Sequence, residues 1–208
     1  MWTIRLILLG VFIVFLIFSG YFLRRRQEYQ GFLENGFFNF TLVVLYNLFC
    51  YLLSGLPSDP EVFVPPAFFM HPGNRMVFFV LGWIFIVFAI LMMGTAIRHR
   101  RTLGGQNVKE GLLTSGMYRT FRHPIYAGVI LASLGVALVT LSWDGLLMVP
   151  VVLVLNLVQA VMEERYDIGR RFSAQYQEYR KRTHLFGPIW AWAVLLGLLV
   201  VASILPVR

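Results

Sequence analysis

Long apolar runs separated by short polar segments are the main pattern along this chain. A helix needs about 20 consecutive apolar residues to cross the hydrocarbon core of a bilayer. Six runs come close to this length: residues 3–23, 37–56, 76–97, 125–142, 146–162 and 189–206. The pattern predicts an all-α, polytopic integral membrane bundle of about six transmembrane helices, with both termini outside the cytoplasm. If residues 189–206 do not span, a five-helix plan remains.

Small residues indicate how two of these runs pack. The fourth and fifth runs are joined by a tight turn at residues 142–145, and Gly128, Ala132 and Gly135 lie at i, i+4 and i+7 in the fourth. These spacings place the three residues on one helix face, where two backbones can approach closely. We therefore expect the fourth and fifth helices to form a tight hairpin.

The segment that follows the fifth run is polar and predicts an amphipathic helix on the cytoplasmic side. Within residues 163–188, Phe172, Tyr176 and Tyr179 recur at i, i+4 and i+7. Such an aromatic stripe is typical of a helix that lies on the bilayer surface. A lid over an internal cavity is the second interpretation.

The positive charges give the orientation of the bundle. Three Lys and Arg residues lie in segment 24–36, six in 98–124 and six in 163–188, which makes fifteen of the 18 in the chain. Cytoplasmic loops of membrane proteins carry this excess of positive charge. Segments 98–124 and 163–188 are therefore predicted to lie together on the cytoplasmic side.

The composition supports a membrane protein and removes two classes of function. Hydrophobic residues make up 58% of the chain and charged residues 13%, with mean hydropathy +0.71. The net charge of +8 could suggest a nucleic-acid partner, but the charges cluster at the ends of apolar runs, as membrane topology requires. We therefore expect no nucleic-acid partner. Cys50 is the single cysteine, and no His/Cys/Asp cluster accompanies it, so we also expect no metal.

Polar residues in the fifth run suggest a functional face. Asn156, Gln159 and Glu163 lie at i, i+3 and i+7, and Tyr166 and Arg170 continue the stripe. Polar side chains inside a span are costly unless they meet partners or a wet cavity. A functional cavity explains five such residues better than hydrogen bonds between helices, although the second explanation stays open.

A basic and aromatic segment precedes the fourth run. Arg122 and His123 end a polar loop, and Pro124 suits the first turn of the helix that follows. The free N–H groups of that turn and the two basic side chains would form a pocket for an anionic group. The alternative is a topogenic loop that only fixes the cytoplasmic end of a membrane helix.

Two motifs in this region carry a resemblance to a known family. The first has the form Gly-x-Tyr-x-x-x-Arg-His-Pro-x-Tyr-x-Gly over residues 116–128, and the second contains Glu163-Glu164, Phe172-x-x-x-Tyr176-x-x-Tyr179 and Pro188. Together they resemble the isoprenylcysteine carboxyl methyltransferase family, part of a wider group of membrane methyltransferases that includes phospholipid N-methyltransferases. The resemblance covers residues 95–188. It divides the chain into N-terminal membrane helices at 1–94, a methyltransferase-like core at 95–188 and a C-terminal transmembrane helix at 189–208.

The resemblance implies an S-adenosyl-L-methionine-dependent methyltransferase with its active site facing the cytoplasm. Its partners would be membrane lipid and a lipophilic or lipidated acceptor. The methylated group of the acceptor could be a prenylcysteine-like carboxylate, an amine or a thiol. The implied cofactor-binding residues are Tyr118, Arg122, His123, Pro124, Tyr126, Gly128, Glu163 and Glu164. The implied catalytic residues are Arg122, Glu163 and Arg170.

The chemistry of the residues agrees with this assignment. A carboxylate from Glu163 or Glu164 can hold the ribose diol or the α-amino group of the cofactor, and Arg122 with the helix N-terminus can hold its carboxylate. The stripe favours Glu163, because Glu164 points about a hundred degrees away on an ideal helix.

Two other functions stay open. One is a nicotinamide-dependent membrane reductase of related fold, and the other is a non-catalytic transporter or scaffold.

Overall fold

The computed structural model describes residues 72–100, 111–141 and 143–204, together with six helical positions between residues 7 and 17. Its five longer helices are α1 (Pro72–Arg100), α2 (Pro124–Thr140), α3 (Trp143–Glu163), α4 (Gly169–Arg182) and α5 (Ile189–Ile204). A short 3₁₀ helix, Gly116–Arg119, precedes α2, and a π-helical turn, Glu164–Ile168, joins α3 to α4. The described part of the chain contains no β-strand, so the all-α class is confirmed there.

The predicted spans are covered only in part. Among the described helices, α1 alone is long and apolar enough to cross a membrane, over Gly73–His99. α2 and the Met148–Glu163 part of α3 are apolar but shorter. The predicted span at 37–56, and most of that at 3–23, lie outside the described residues. The count of six spans therefore stays a prediction.

The small-residue face of α2 packs against α1. A Cβ atom built on Gly135 would lie 2.7 Å from the carbonyl oxygen of Gly82, and one built on Gly82 would lie 2.7 Å from that of Gly135. Two turns earlier in α2, a Cβ atom built on Gly128 would lie 2.5 Å from Cγ of Met93. The residues that were expected to seal α2 against α3 thus contact α1 instead. The sequence shows which face is small but not which neighbour it meets.

The core lies where three helices and the segment after α4 meet. Its buried members come from α1, α2, α3 and that segment: Met92, Ala127, Ile130, Val152, Ala160 and Phe186. A second buried cluster lies between α1 and α2: Phe78, Phe85, Ala89, Leu131 and Leu138. These contacts fix the end of α2 that carries the first motif.

Backbone hydrogen bonds tie the segment after α4 to the loop before α2. The N–H of His184 donates to the carbonyl of Thr120 over 2.9 Å, and the N–H of Arg122 donates to the carbonyl of His184 over 2.8 Å. The N–H of His123 donates to the carbonyl of Leu185 over 3.0 Å. The two motif-bearing segments are therefore held side by side at one end of the bundle.

The aromatic stripe of α4 faces inward. Tyr176 and Tyr179 are buried and pack with Ile168, while Phe172 is half-buried. The hydroxyl of Tyr179 donates to the carbonyl of Tyr118 over 2.7 Å. The expectation that this stripe lies on the bilayer surface was wrong, because the two tyrosine rings pack inside the protein and the Tyr179 hydroxyl finds its partner there.

Candidate active site

Gly116, the first residue of the first motif, shapes the loop that carries the site. Its φ is +59°, and a Cβ atom there would overlap the ring of His99. Only glycine avoids both the strained backbone and the clash. The 3₁₀ turn that follows closes with the N–H of Tyr118 donating to the carbonyl of Ser115 over 3.1 Å, and it buries the Tyr118 ring.

Pro124 begins α2 and aims the two basic residues before it. It occupies the first turn, where a missing N–H costs nothing, and it is fully buried. The carbonyl of His123 accepts from the N–H of Ala127 over 3.0 Å, so the helix starts directly after the histidine. His123 is itself buried, at 6% exposure.

The π-helical turn brings both neighbouring carboxylates toward His123. Glu163 ends α3, and Glu164 opens the wider turn that Gly169 closes. A Cβ atom on Gly169 would lie 2.5 Å from the carbonyl oxygen of Glu164, so the tight approach requires glycine. The preference for Glu163 over Glu164 assumed a regular helix. π-helical turns of this kind are common at functional sites.

The side chains of the two motifs form one hydrogen-bonded group. Nε of Arg122 donates to Oε1 of Glu164 over 2.7 Å, and Nε2 of His123 lies 3.2 Å from the same oxygen. The hydroxyl of Tyr126 donates to Oε2 of Glu163 over 2.9 Å, and Nδ1 of His123 lies 3.6 Å from that oxygen. The rings of His123 and Tyr126 are stacked, with centroids 5.2 Å apart. His123 therefore lies between the two carboxylates.

Glu164 stays ionised over the physiological pH range. Burial raises the pKa of its carboxyl group, but the contacts with His123, Tyr176 and Arg122 outweigh burial and lower the pKa from 4.5 to about 2. The Tyr176 hydroxyl lies close enough to this carboxylate to affect its pKa, but it forms no hydrogen bond. Burial and the neighbouring carboxylate raise the pKa of Tyr176.

A small cavity lies against this group. Its volume is about 20 Å³, which is enough for one water molecule. The lining residues are Tyr118, Arg122, His123, Pro124, Ile125, Tyr126, Glu163 and Ile168. Six of them were predicted as site residues from the sequence: Tyr118, Arg122, His123, Pro124, Tyr126 and Glu163.

The other three predicted residues lie elsewhere. Glu164 bonds to Arg122 but does not line the cavity. Gly128 packs on α1, where it contacts Met93. Arg170 is exposed on α4 and is not among the lining residues, so its catalytic assignment stays a prediction without support from this geometry.

The polar stripe of α3 faces inward as far as Glu163. Asn156, Gln159 and Glu163 are all buried, at 0%, 7% and 8% exposure. Nδ2 of Asn156 donates to the carbonyl of Val152 over 2.8 Å. Arg170 is exposed, so the stripe does not continue that far, and the side chain of Tyr166 lies outside the described residues. Whether the stripe lines a functional cavity stays a prediction.

Sequence reasoning missed the backbone partners of the site. Nη1 of Arg122 donates to the carbonyls of Thr183 and Arg180, over 2.7 and 3.3 Å. Carbonyl groups are present at every position, so the sequence has no signal for them. Ile125 and Ile168 were also missed as lining residues, since isoleucine next to a motif is indistinguishable from ordinary core. In the described ranges, no three His, Cys, Asp or Glu residues are grouped to hold a metal ion.

Comparisons with known proteins agree with this site. A family model described as phospholipid methyltransferase matches residues 75–173, which include the first motif and the Glu163-Glu164 pair. Protein-S-isoprenylcysteine O-methyltransferase A of Arabidopsis thaliana is 28% identical over 131 residues, or 62% of this chain. The match spans 66% of that relative, slightly under two thirds of its length. No solved structure matches the chain significantly. The family model supports the resemblance to membrane methyltransferases, and the Arabidopsis thaliana relative supports the resemblance to the isoprenylcysteine carboxyl methyltransferases within that group.

Proposed function

We propose that this chain is a multi-pass membrane enzyme that transfers a methyl group from S-adenosyl-L-methionine to a lipophilic acceptor at the cytoplasmic side of the membrane. The observation that carries the proposal is the meeting of the two motifs. Tyr126 bonds Glu163 across 37 residues of sequence, and Arg122 bonds Glu164 across 42. The relationship to membrane methyltransferases supports the same conclusion.

The side chains at the cavity suit the chemistry of this cofactor. The Glu163 carboxylate can hold an α-amino group or a ribose diol, and the rings of Tyr118 and Tyr126 offer apolar surfaces beside it. The cofactor would supply an electrophilic methyl group on its sulfonium. A cavity of about 20 Å³ is far smaller than such a molecule, so the lining residues must separate before it binds.

The residues would then act by alignment and by exclusion of water. Methyl transfer is an in-line displacement, so its rate depends on how well donor and acceptor are aligned. Tyr126 donates a hydrogen bond to the Glu163 carboxylate and stacks on the His123 ring. These two contacts fix the geometry of the polar side chains beside the cavity. Ile125 and Ile168 supply apolar surface that keeps water out.

The acceptor is proposed to be lipophilic because the Arabidopsis thaliana relative is named as a methyltransferase of protein S-isoprenylcysteine. A prenylcysteine-like carboxylate is the first candidate for this chain, and lipid amines and thiols are the others. The position of the site at the end of apolar helices fits an acceptor whose tail stays in the bilayer. Its identity can be obtained by incubating the purified protein with radiolabelled S-adenosyl-L-methionine and host membrane extract.

Calorimetry on the detergent-solubilised protein tests the proposal. S-adenosylhomocysteine should bind the wild type, and Glu163→Gln should weaken that binding about tenfold to hundredfold, because a charge-assisted hydrogen bond is lost. Glu178→Gln is the matched control, since Glu178 is an exposed carboxylate on α4 that pairs with Arg182. Binding of NADPH in place of S-adenosylhomocysteine would indicate a reductase. If the folded protein binds neither, the enzymatic proposal is wrong.

A further inference from the structure

The two adjacent carboxylates of the site have different surroundings. Glu163 lines the cavity, whereas Glu164 does not. Oε1 of Glu164 faces both Nε of Arg122, at 2.7 Å, and Nε2 of His123, at 3.2 Å. The side chains of Arg122 and Glu164 are only 11% and 10% exposed. Both carboxylates thus have protein partners, but only Glu163, which accepts from Tyr126, also borders the space that a ligand would occupy.

Arg122 links Glu164 to the end of α4. While its Nε binds the carboxylate, its Nη1 donates to the carbonyls of Thr183 and Arg180. Basic side chains stabilise the free carbonyls at a helix C-terminus in this way. We call this group, formed by Arg122, Glu164 and the carbonyls of Arg180 and Thr183, the α4 clamp. It joins the loop before α2, the π-helical turn and the end of α4.

His123 is the point where the clamp meets the cavity. One edge of its ring faces Glu164, its plane stacks on Tyr126, and its other edge faces Glu163. A change at Glu164 therefore alters the orientation of His123 before it alters anything at the ligand. Loss of the Glu164 charge would also release Arg122, which borders the cavity.

We propose that Glu164 is a positioning residue: it orients His123 and Arg122 through the α4 clamp, and Glu163 is the carboxylate that binds the ligand. This inference rests on the proposed function and divides the Glu163-Glu164 pair into two tasks. In the competing arrangement, both carboxylates bind the cofactor directly, and Glu164 would release its protein partners to do so.

Nuclear magnetic resonance of histidine side chains tests the first step without any ligand. The chain has four histidines, and the ¹⁵N signals of His123 can be assigned by their loss in His123→Gln. Glu164→Gln should shift the imidazole signals of His123 in the ligand-free protein, whereas Glu178→Gln should leave them in place. Unmoved His123 signals in Glu164→Gln would overturn the proposal.

A mutant cycle with S-adenosylhomocysteine tests the second step. Glu164→Gln alone should weaken binding about tenfold. In a background that carries both His123→Ala and Arg122→Ala the same change should cost no more than about twofold further, because a residue that acts through two others loses its effect when both are gone. A full tenfold loss in both backgrounds means that Glu164 touches the ligand independently, which contradicts a positioning role.

Two further arms keep the outcomes distinct. If Glu164→Gln does not fold, Glu164→Asp keeps the charge but withdraws it by one methylene, and it should also shift the His123 signals and show the same dependence on His123 and Arg122. If wild-type protein binds no S-adenosylhomocysteine, the proposed function fails, and the histidine signals still decide whether Glu164 positions His123.

Discussion

Replacing Glu164 by glutamine should make the stability of the protein less dependent on pH. Glutamine keeps the shape of the side chain and one acceptor oxygen, but it removes the charge that faces Arg122 and His123. The pKa of Glu164 is lowered from 4.5 to about 2. At 1.36 kcal/mol per pH unit this corresponds to about 3 kcal/mol, which screening by solvent reduces to about 2 kcal/mol.

The sign of this effect follows from the direction of the shift. A carboxyl group whose pKa is lower in the folded state binds its partners as the anion. Its contribution is complete above pH 4.5, the ordinary value, and it is lost as the pH falls through about 2. The wild type should therefore be more stable than Glu164→Gln at neutral pH, and the two should converge in strong acid.

Thermal unfolding of the two proteins in detergent measures this difference. A gap of about 2 kcal/mol corresponds to about 4–8 °C in midpoint for a chain of this size. The gap should be constant from neutral pH to about pH 5 and should then close toward about pH 2. Glu178→Gln removes an exposed pair with Arg182 and should change stability by less than about 0.5 kcal/mol. A gap that is the same at neutral and acid pH, or that widens in acid, would refute the reasoning.

Two smaller sets of changes test the packing around the site. Gly135→Ala would place a methyl group 2.7 Å from a carbonyl oxygen of α1, and it should lower stability by about 1–3 kcal/mol in thermal unfolding. Gly197→Ala, where nothing lies within 4 Å, is the control and should not. Tyr179→Phe removes the donor to the carbonyl of Tyr118 and should cost about 1–3 kcal/mol, whereas Tyr176→Phe removes a hydroxyl that forms no hydrogen bond and only lies near the Glu164 carboxylate, so it should cost less. Equal losses for the two tyrosines would contradict the assignment of their hydroxyls.

The sequence predicted approximately where the described helices lie and six of the residues that line the cavity, because both depend on local pattern. Apolar runs fix where a helix can be buried, and Pro124 fixes where α2 starts. The charge bias placed residues 98–124 and 163–188 on one side, and the structure brings Arg122 to Glu164 and Tyr126 to Glu163. Long-range contact of the two motifs could thus be predicted from topology alone.

Partner choice could not be predicted in the same way. The sequence shows the small-residue face of α2, but not whether this face packs against α1 or α3. It packs against α1, where Gly82 has no side chain and lets the two backbones approach closely. The aromatic stripe of α4 has the spacing of a surface helix. It faces inward, where the Tyr179 hydroxyl donates to the backbone carbonyl of Tyr118. Every residue has a backbone carbonyl, so the sequence cannot indicate which one accepts this hydrogen bond.

The π-helical turn explains how adjacent residues can divide the work of the site. On a regular α-helix, neighbours point about a hundred degrees apart, so a ring placed beside one carboxylate would miss the other. Here Gly169 lies five residues after Glu164, and its lack of a side chain lets its backbone approach the Glu164 carbonyl in the wider turn. The His123 ring, buried between the two motifs, then reaches Glu163 with one nitrogen and Glu164 with the other. Gly169, which is not one of the named motif positions, therefore contributes to the site, since it allows the backbone geometry by which one carboxylate faces the cavity and its neighbour does not.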